Sequence, residues 1–141
     1  MVDPKANDNV LIAIANAKIN LHLEVLGIRN DGFHELAMVM QSISLSDQLK
    51  MIKSKDNNIT LKSNSKEISN GDDNLIIKAA MLLRNKVGNP QLGVDIVLEK
   101  NIPIGAGLAG GSTDAAATLV GLNKLWNLNL EIKELENISE D

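Results

Sequence analysis

The residues with the clearest chemical meaning are Pro103-Ile104-Gly105-Ala106-Gly107-Leu108-Ala109-Gly110-Gly111-Ser112-Thr113, which lead into Asp114-Ala115-Ala116-Ala117. Four glycines and two alanines within these eleven residues let backbone N–H groups approach an anion without side chains in the way. The apolar spacing that follows predicts a helix whose positive end faces the same point. Ser112 and Thr113 are placed to cap that helix, or to touch a phosphate or its metal. Phosphate binding is the chemistry this segment suits. The bland alternative is a turn that merely lets a helix pack close to a strand, but such turns rarely need four glycines and two hydroxyls.

Gly105, Gly107 and Gly110 also satisfy G-x-G-x-x-G, the dinucleotide fingerprint. In that fingerprint the first glycine abuts a hydrophobic strand end, whereas Glu99-Lys100-Asn101-Ile102-Pro103 intervenes here. The nearest acid for a ribose, Glu131, falls in a helical pattern. Gly105 to Ser112 has P-loop spacing, but Gly111 stands where the essential lysine belongs, and that reading fails.

Other candidates lie far upstream. Lys18 and Asn20 share one face of a predicted strand, roughly 6–7 Å apart from the rise per residue. On residue type alone, a strand lysine is most simply a solvated charge. Phe33 and His34 follow a hairpin turn, where an aromatic ring can stack on a pyrimidine and an imidazole can read its polar edge. Equally, Phe33 can tuck into the hairpin's apolar side and leave His34 exposed. His22 reads as a surface strand residue.

The elements that must position these groups follow from periodicity. Ile19, Leu21, Leu23 and Val25 alternate with Lys18, Asn20, His22 and Glu24, which predicts a half-buried strand. Val10, Ile12 and Ile14 extend it upstream, with a bend near Ala15-Asn16-Ala17. Arg29-Asn30-Asp31-Gly32 is turn chemistry, and Met38 to Leu45 supplies the returning strand. A short strand follows at Ile59 to Lys62, then a polar loop. Asp73 can cap a helix carrying Ile76, Ala79 or Ala80, Leu83 and Val87, which Gly88-Asn89-Pro90 stops. Leu92, Val94, Ile96 and Leu98 predict another strand. The helix after the glycine loop carries Ala115, Leu119, Leu122 and Trp126 on one stripe, so Trp126 reads as core. A last helix spans Leu130 to Ile138. This order predicts an α+β fold with helices on one face of a mostly antiparallel sheet.

Composition bounds the rest. At 141 residues the chain is one ordinary domain, with 44% hydrophobic and 23% charged residues. Fourteen basic against eighteen acidic side chains give −4, which argues against nucleic acid or an anionic membrane as partner. There is no cysteine, so disulfides, thiolate metal sites and a cysteine nucleophile are excluded. Met1 to Asn9 has no apolar stretch of a secretion signal, and no run approaches the ~18 residues of a membrane helix. A reduced, cytoplasmic setting is expected. With no Tyr, one Phe and one Trp, the core must be aliphatic.

The pattern P-x-G-x-G-L-x-G-G-S-[ST] resembles the ATP loop of the GHMP small-molecule kinases. Ala17-Lys18-Ile19-Asn20-Leu21 followed by Gly32-Phe33-His34-Glu35-Leu36 resembles the amino-terminal signature of one branch of that family. Members of that branch phosphorylate the 2-hydroxyl of a cytidine-diphosphate-linked methylerythritol from ATP, in the non-mevalonate route to isoprenoid precursors. Asp73-Asn74-Leu75-Ile76 and Asn123-Lys124-Leu125-Trp126 continue the likeness in collinear order. The resemblance implies the ribosomal-protein-S5-domain-2-like fold, ATP and Mg²⁺ as cofactors, and a small-molecule substrate. Under it Lys18 is the catalytic lysine, Asn20 positions the substrate, and Phe33 with His34 forms a cytosine site. ATP would be held by the loop from Pro103 to Thr113 together with Asn74, Lys100 and Asp114. Bland roles stand beside these: helix start for Asn74, solvated strand end for Lys100, helix-dipole partner for Asp114. Ser112 is the candidate Mg²⁺ contact, and no acidic metal partner is assigned.

The sequence also departs from the family. Ala109 stands where many relatives have glycine. The family's base, an Asp in a G-[AS]-D-V-P segment, is expected just past Asp141, and the family chain is about twice as long. Residues 1–141 therefore read as an amino-terminal ATP-binding domain without its carboxy-terminal companion, with little activity alone and an oligomeric state left open. Homoserine or mevalonate-type kinases share the glycine loop, but Gly32-Phe33-His34 argues against them. A Rossmann-type fragment would place a parallel strand directly after residue 127, and an S5-like RNA module would want a basic cluster.

Overall fold

The computed structural model describes residues 8–140, and the side chain of His22 lies outside the description. Its elements are β1 (Val10–Ile28), β2 (His34–Lys53), β3 (Ile59–Ser63), α1 (Leu75–Val87), β4 (Val94–Glu99), α2 (Gly110–Leu125) and α3 (Ile132–Glu140). The four strands form one sheet in the order β1-β2-β4-β3. β2 pairs antiparallel with both β1 and β4, while β3 pairs parallel with β4 across the α1 crossover. The result is the expected α+β fold with a mostly antiparallel sheet. A helix, α3, follows residue 127 where a Rossmann reading needs a strand.

The helices pack on one face. α2 lies on β1 and β2, α1 sits between β3 and α2, and α3 touches both helices. The core is aliphatic, with Leu49, Met51, Ile96, Leu98, Leu83 and Leu122 at its centre. Trp126 closes it as expected, buried, its Nε1–H donating to the Gly93 carbonyl at 3.2 Å. Helix α1 is capped by Asn74 rather than by Asp73: the Asn74 side chain accepts from the Ile76 amide at 2.8 Å. Gly88, at φ 69°, ends the helix by donating its amide to Arg84 and Asn85.

The two long strands depart from the expected parity. In the first half of β1 the buried side chains are Leu11, Ala13, Ala15 and Ala17, whereas Ile12 and Ile14 are only half-buried. Small residues face the helix because α2 comes close: a Cβ on Gly121 would lie 2.8 Å from Met51 Sδ and 3.2 Å from Leu11 Cδ2. The bend falls where it was expected. Asn16 pairs with Ser46 and Lys18 with Ser42, so Ala17 alone faces Ile43, Ser44 and Leu45. Past this bulge β2 no longer has β4 beside it, and β1 and β2 continue as a two-stranded ribbon. Leu21, Leu23 and Val25, which alternation alone would bury, are therefore exposed.

Candidate functional site

The glycine-rich segment joins the end of β4 to α2. Gly105 (φ 69°), Gly107 (φ 73°) and Ala109 (φ 58°) all adopt the left-handed conformation. Nothing lies within 4 Å of a Cβ built on Gly105 or Gly107, so these two glycines serve backbone shape alone. Gly110 serves packing instead: its Cβ would stand 2.8 Å from Lys100 Nζ and 3.0 Å from Ile102 Cγ2. Ala109 bears the left-handed geometry with a side chain, at about 1–2 kcal/mol.

Ser112 and Thr113 do not cap α2. The cap is Ala109, which offers no side-chain acceptor, and the helix begins at Gly110. The Thr113 amide makes the first helical bond, to the Ala109 carbonyl at 2.9 Å. The amides of Gly110, Gly111 and Ser112 precede it and lack intrahelical acceptors. Thr113 is buried and turns its hydroxyl back to the Gly110 carbonyl at 3.0 Å, while Ser112 is exposed. An uncapped helix start behind a glycine loop suits an anion.

The loop roofs a hollow of about 380 Å³, lined by Pro103 to Ser112 together with Asn74, Leu75, Leu98, Lys100 and Asp114. Asn74 lines the hollow, although its amide is already used: it caps α1 and donates to the Ser69 carbonyl at 2.9 Å. Lys100 is no solvated strand end. Its ammonium is buried and paired with Asp47 Oδ2 and with Asp114 Oδ2, the latter at 3.2 Å. Asp114 is accordingly not a first-turn dipole partner but one corner of a buried triad. Its Oδ1 is buried without a hydrogen-bond partner. Asp47, which sequence reading missed, accepts from the amides of Asn101 at 2.6 Å and Ile102 at 2.8 Å.

Two carboxylates around one ammonium do not titrate alike. Burial and the adjacent Asp47 carboxylate push Asp114 up to about 7, against the pull of Lys100. Burial alone would raise Asp47 as well, but the Ile102 amide and the Lys100 ammonium hold it below its ordinary value. Between the ordinary carboxylate value and about 7, the native state keeps a proton on Asp114 that the unfolded chain has released. Stability therefore falls as pH rises through that window and levels off above it. Asp114→Asn removes the penalty while keeping an acceptor for Lys100 and adding a donor for Asp47. Urea unfolding at pH 5 and pH 8 is expected to show the parent losing on the order of 2 kcal/mol and the variant holding level.

Lys18 stands beside the loop rather than inside its hollow. Its amide donates to the Leu108 carbonyl at 3.0 Å, which fastens the loop to edge strand β1. Its half-buried side chain lines a separate, adjoining hollow of about 240 Å³ with Asn16, Ser42, Thr113 and the alanines of α2. Lys18 therefore lines the hollow next to the loop's own and not the loop's own. The first turn of α2 divides the two, with Ser112 on the loop side and Thr113 on the Lys18 side. No carboxylate or histidine lines the Lys18 hollow among the described residues. Asn20 lies two positions further along β1, exposed on the same strand face.

Phe33 and His34 are not brought to the loop. They sit at the hairpin tip, ten residues of β1 beyond Lys18, a path of about 33 Å along the strand. Phe33 is 71% exposed and does not tuck into the hairpin. Its amide donates to Asp31 Oδ1 at 3.1 Å and its carbonyl accepts from the Arg29 amide, which fixes the turn. For metals, no group of three or more His, Asp or Glu able to hold an ion occurs among the described residues.

This glycine loop runs into an uncapped helix beside an edge-strand lysine on a β-β-β-α-β-α-α frame, and residues 74–141 match the family described as GHMP kinases N terminal domain. The chain is similar to the GHMP kinases in sequence and in fold. Over its full length it is 82% identical to the 4-diphosphocytidyl-2-C-methyl-D-erythritol kinase of Prochlorococcus marinus (strain NATL2A), of which it spans 44%. A crystal structure of 4-(cytidine 5'-diphospho)-2C-methyl-D-erythritol kinase, 38% identical, superimposes with a TM-score of 0.73 over 91% of this chain and 45% of that one. Homoserine kinase from Cytophaga hutchinsonii, at 18% identity, reaches a TM-score of 0.73 over 93% of this chain and 40% of its own, a likeness of fold alone.

Proposed function

We propose that this chain is the amino-terminal, nucleotide-binding part of a cytoplasmic kinase that transfers the γ-phosphoryl of ATP to the 2-hydroxyl of 4-diphosphocytidyl-2-C-methyl-D-erythritol. One observation carries the reading: the uncapped start of α2 separates a hollow floored by Lys100 from one lined by Lys18. The amides of Gly110, Gly111 and Ser112 hold the phosphates at that dividing turn. The nucleotide lies on the side of Asn74 and Lys100. The acceptor alcohol lies on the side of Lys18, whose ammonium offsets the charge that develops as the hydroxyl attacks. Asn20 orients the alcohol, and Phe33 and His34 receive the cytosine at the tip of the ribbon. Bulges between Asn20 and His22 and between Val25 and Gly27 bend that ribbon, so that its tip is nearer to Lys18 than the strand's contour length.

Mg²⁺ in such a site is held largely by phosphate oxygens and water and neutralises charge on the phosphates. Ser112, exposed on the loop side, is the residue of this chain that would touch it. Lined by Lys18 with Asn16, Ser42 and Thr113, the adjoining hollow supplies position and charge. The test is transfer of radiolabel from γ-labelled ATP, using this chain joined to the carboxy-terminal portion of the NATL2A relative. Label is expected on the cytidine-diphosphate alcohol and not on homoserine or mevalonate; the reverse preference would overturn the substrate assignment.

A further inference from the structure

We propose that Asp47 is the positioning residue of the glycine loop: one buried carboxylate on β2 that fixes the loop at both ends. The main-chain ladder between β2 and β4 ends at the pair Gln48 and Glu99. Directly beyond it, the Asp47 side chain takes over the hydrogen bonding. Oδ1 accepts from the amides of Asn101 and Ile102, the two residues that lead into Pro103. The Asn101 side chain adds a bond to the Ser46 carbonyl at 3.0 Å. The loop's entry is thereby tied to β2.

Its exit is tied through Lys100. Asp47 Oδ2 pairs with the Lys100 ammonium, which in turn pairs with Asp114 on the second turn of α2 and lies under Gly110. Asp47 is fully buried, and the Lys100 side chain is only 7% exposed. An apolar residue at this position could fill the space, but it could not satisfy two buried amides and an ammonium at once. Asp47 touches neither hollow and acts only through these partners. The inference rests on the loop being the nucleotide cradle, since that is what gives its placement a purpose.

The experiment compares the parent chain with Asp47→Asn and Asp47→Ala, by amide hydrogen exchange without nucleotide and by ATP titration. Asp47→Asn keeps an oxygen for the two backbone amides and loses the charge opposite Lys100, so it is the variant expected to stay folded. Exchange at the Lys18 and Thr113 amides, which bond the loop carbonyls of Leu108 and Ala109, should quicken at least about tenfold in Asp47→Asn, and the ATP dissociation constant should rise by a similar factor. Core amides such as those of Leu49 and Leu122 should quicken far less. An equal quickening of loop and core would show a merely structural carboxylate and overturn the proposal. Because the exchange arm contains no nucleotide, it judges Asp47 even if the parent chain binds no ATP, an outcome that would instead count against the cradle.

Discussion

Lys18→Ala is expected to lower phosphoryl transfer by about two to four orders of magnitude while leaving ATP affinity within about threefold. The asymmetry follows from where the residue sits. Alanine retains the amide that donates to the Leu108 carbonyl, so the loop stays fastened to β1. The loop-side hollow, with Asn74, Lys100 and Asp114, does not include Lys18. What is lost is, among the described residues, the one ammonium lining the adjoining hollow, where the remaining polar groups are Asn16, Ser42 and Thr113. None of these carries a charge to meet an attacking alkoxide. Steady-state kinetics on the chain completed with its relative's carboxy-terminal portion would read this as a fall in kcat at nearly constant KM for ATP. Unchanged turnover would remove Lys18 from the chemistry, and a matching loss of ATP affinity would move it to the nucleotide side.

Gly110→Ala should damage both the fold and the cradle. The added methyl meets Lys100 Nζ at 2.8 Å and Ile102 Cγ2 at 3.0 Å. A flexible lysine could ordinarily withdraw, but this ammonium is held by two buried carboxylates. Either α2 shifts or the triad opens, and opening it strands buried charge at about 3–5 kcal/mol. Gly105→Ala and Gly107→Ala meet nothing within 4 Å, so they should cost only the left-handed penalty of about 1–2 kcal/mol. Urea denaturation of the three variants separates the cases: Gly110→Ala should be much the least stable. Equal losses would show that the loop needs glycine for shape alone.

The loop was legible because its signal is local: glycine spacing, two hydroxyls and a following helix occupy one stretch of chain. The helices were legible for the same reason, and Gly88 stops α1 as its neighbours suggested. Local reading fails where the deciding partner is distant in sequence. Asp47 looks like one polar residue in a long strand, and its partners lie more than fifty residues away. Lys100 read equally as a nucleotide contact or a solvated strand end, for want of those same carboxylates. Parity misled in β1 because alternation shows that a strand has two faces, not which face a helix will cover. There the close approach of α2 selects Leu11, Ala13, Ala15 and Ala17 over the bulkier Ile12 and Ile14. Lys18 and Asn20 became candidates only through resemblance, since lysine on a strand has no local mark of chemistry. Asn74 took the cap from Asp73 by one position, a choice set by the Ser69 carbonyl and hydroxyl that the two side chains engage separately.

The most direct test of the phosphate cradle is a titration of this chain with ATP, followed amide by amide in nitrogen–proton correlation spectra. Saturable movement centred on Gly105 to Ser112, with a smaller response at the Lys18 amide, is the expected result. Binding that leaves those amides still and moves others, or addition of millimolar ATP with no saturable change, would contradict it.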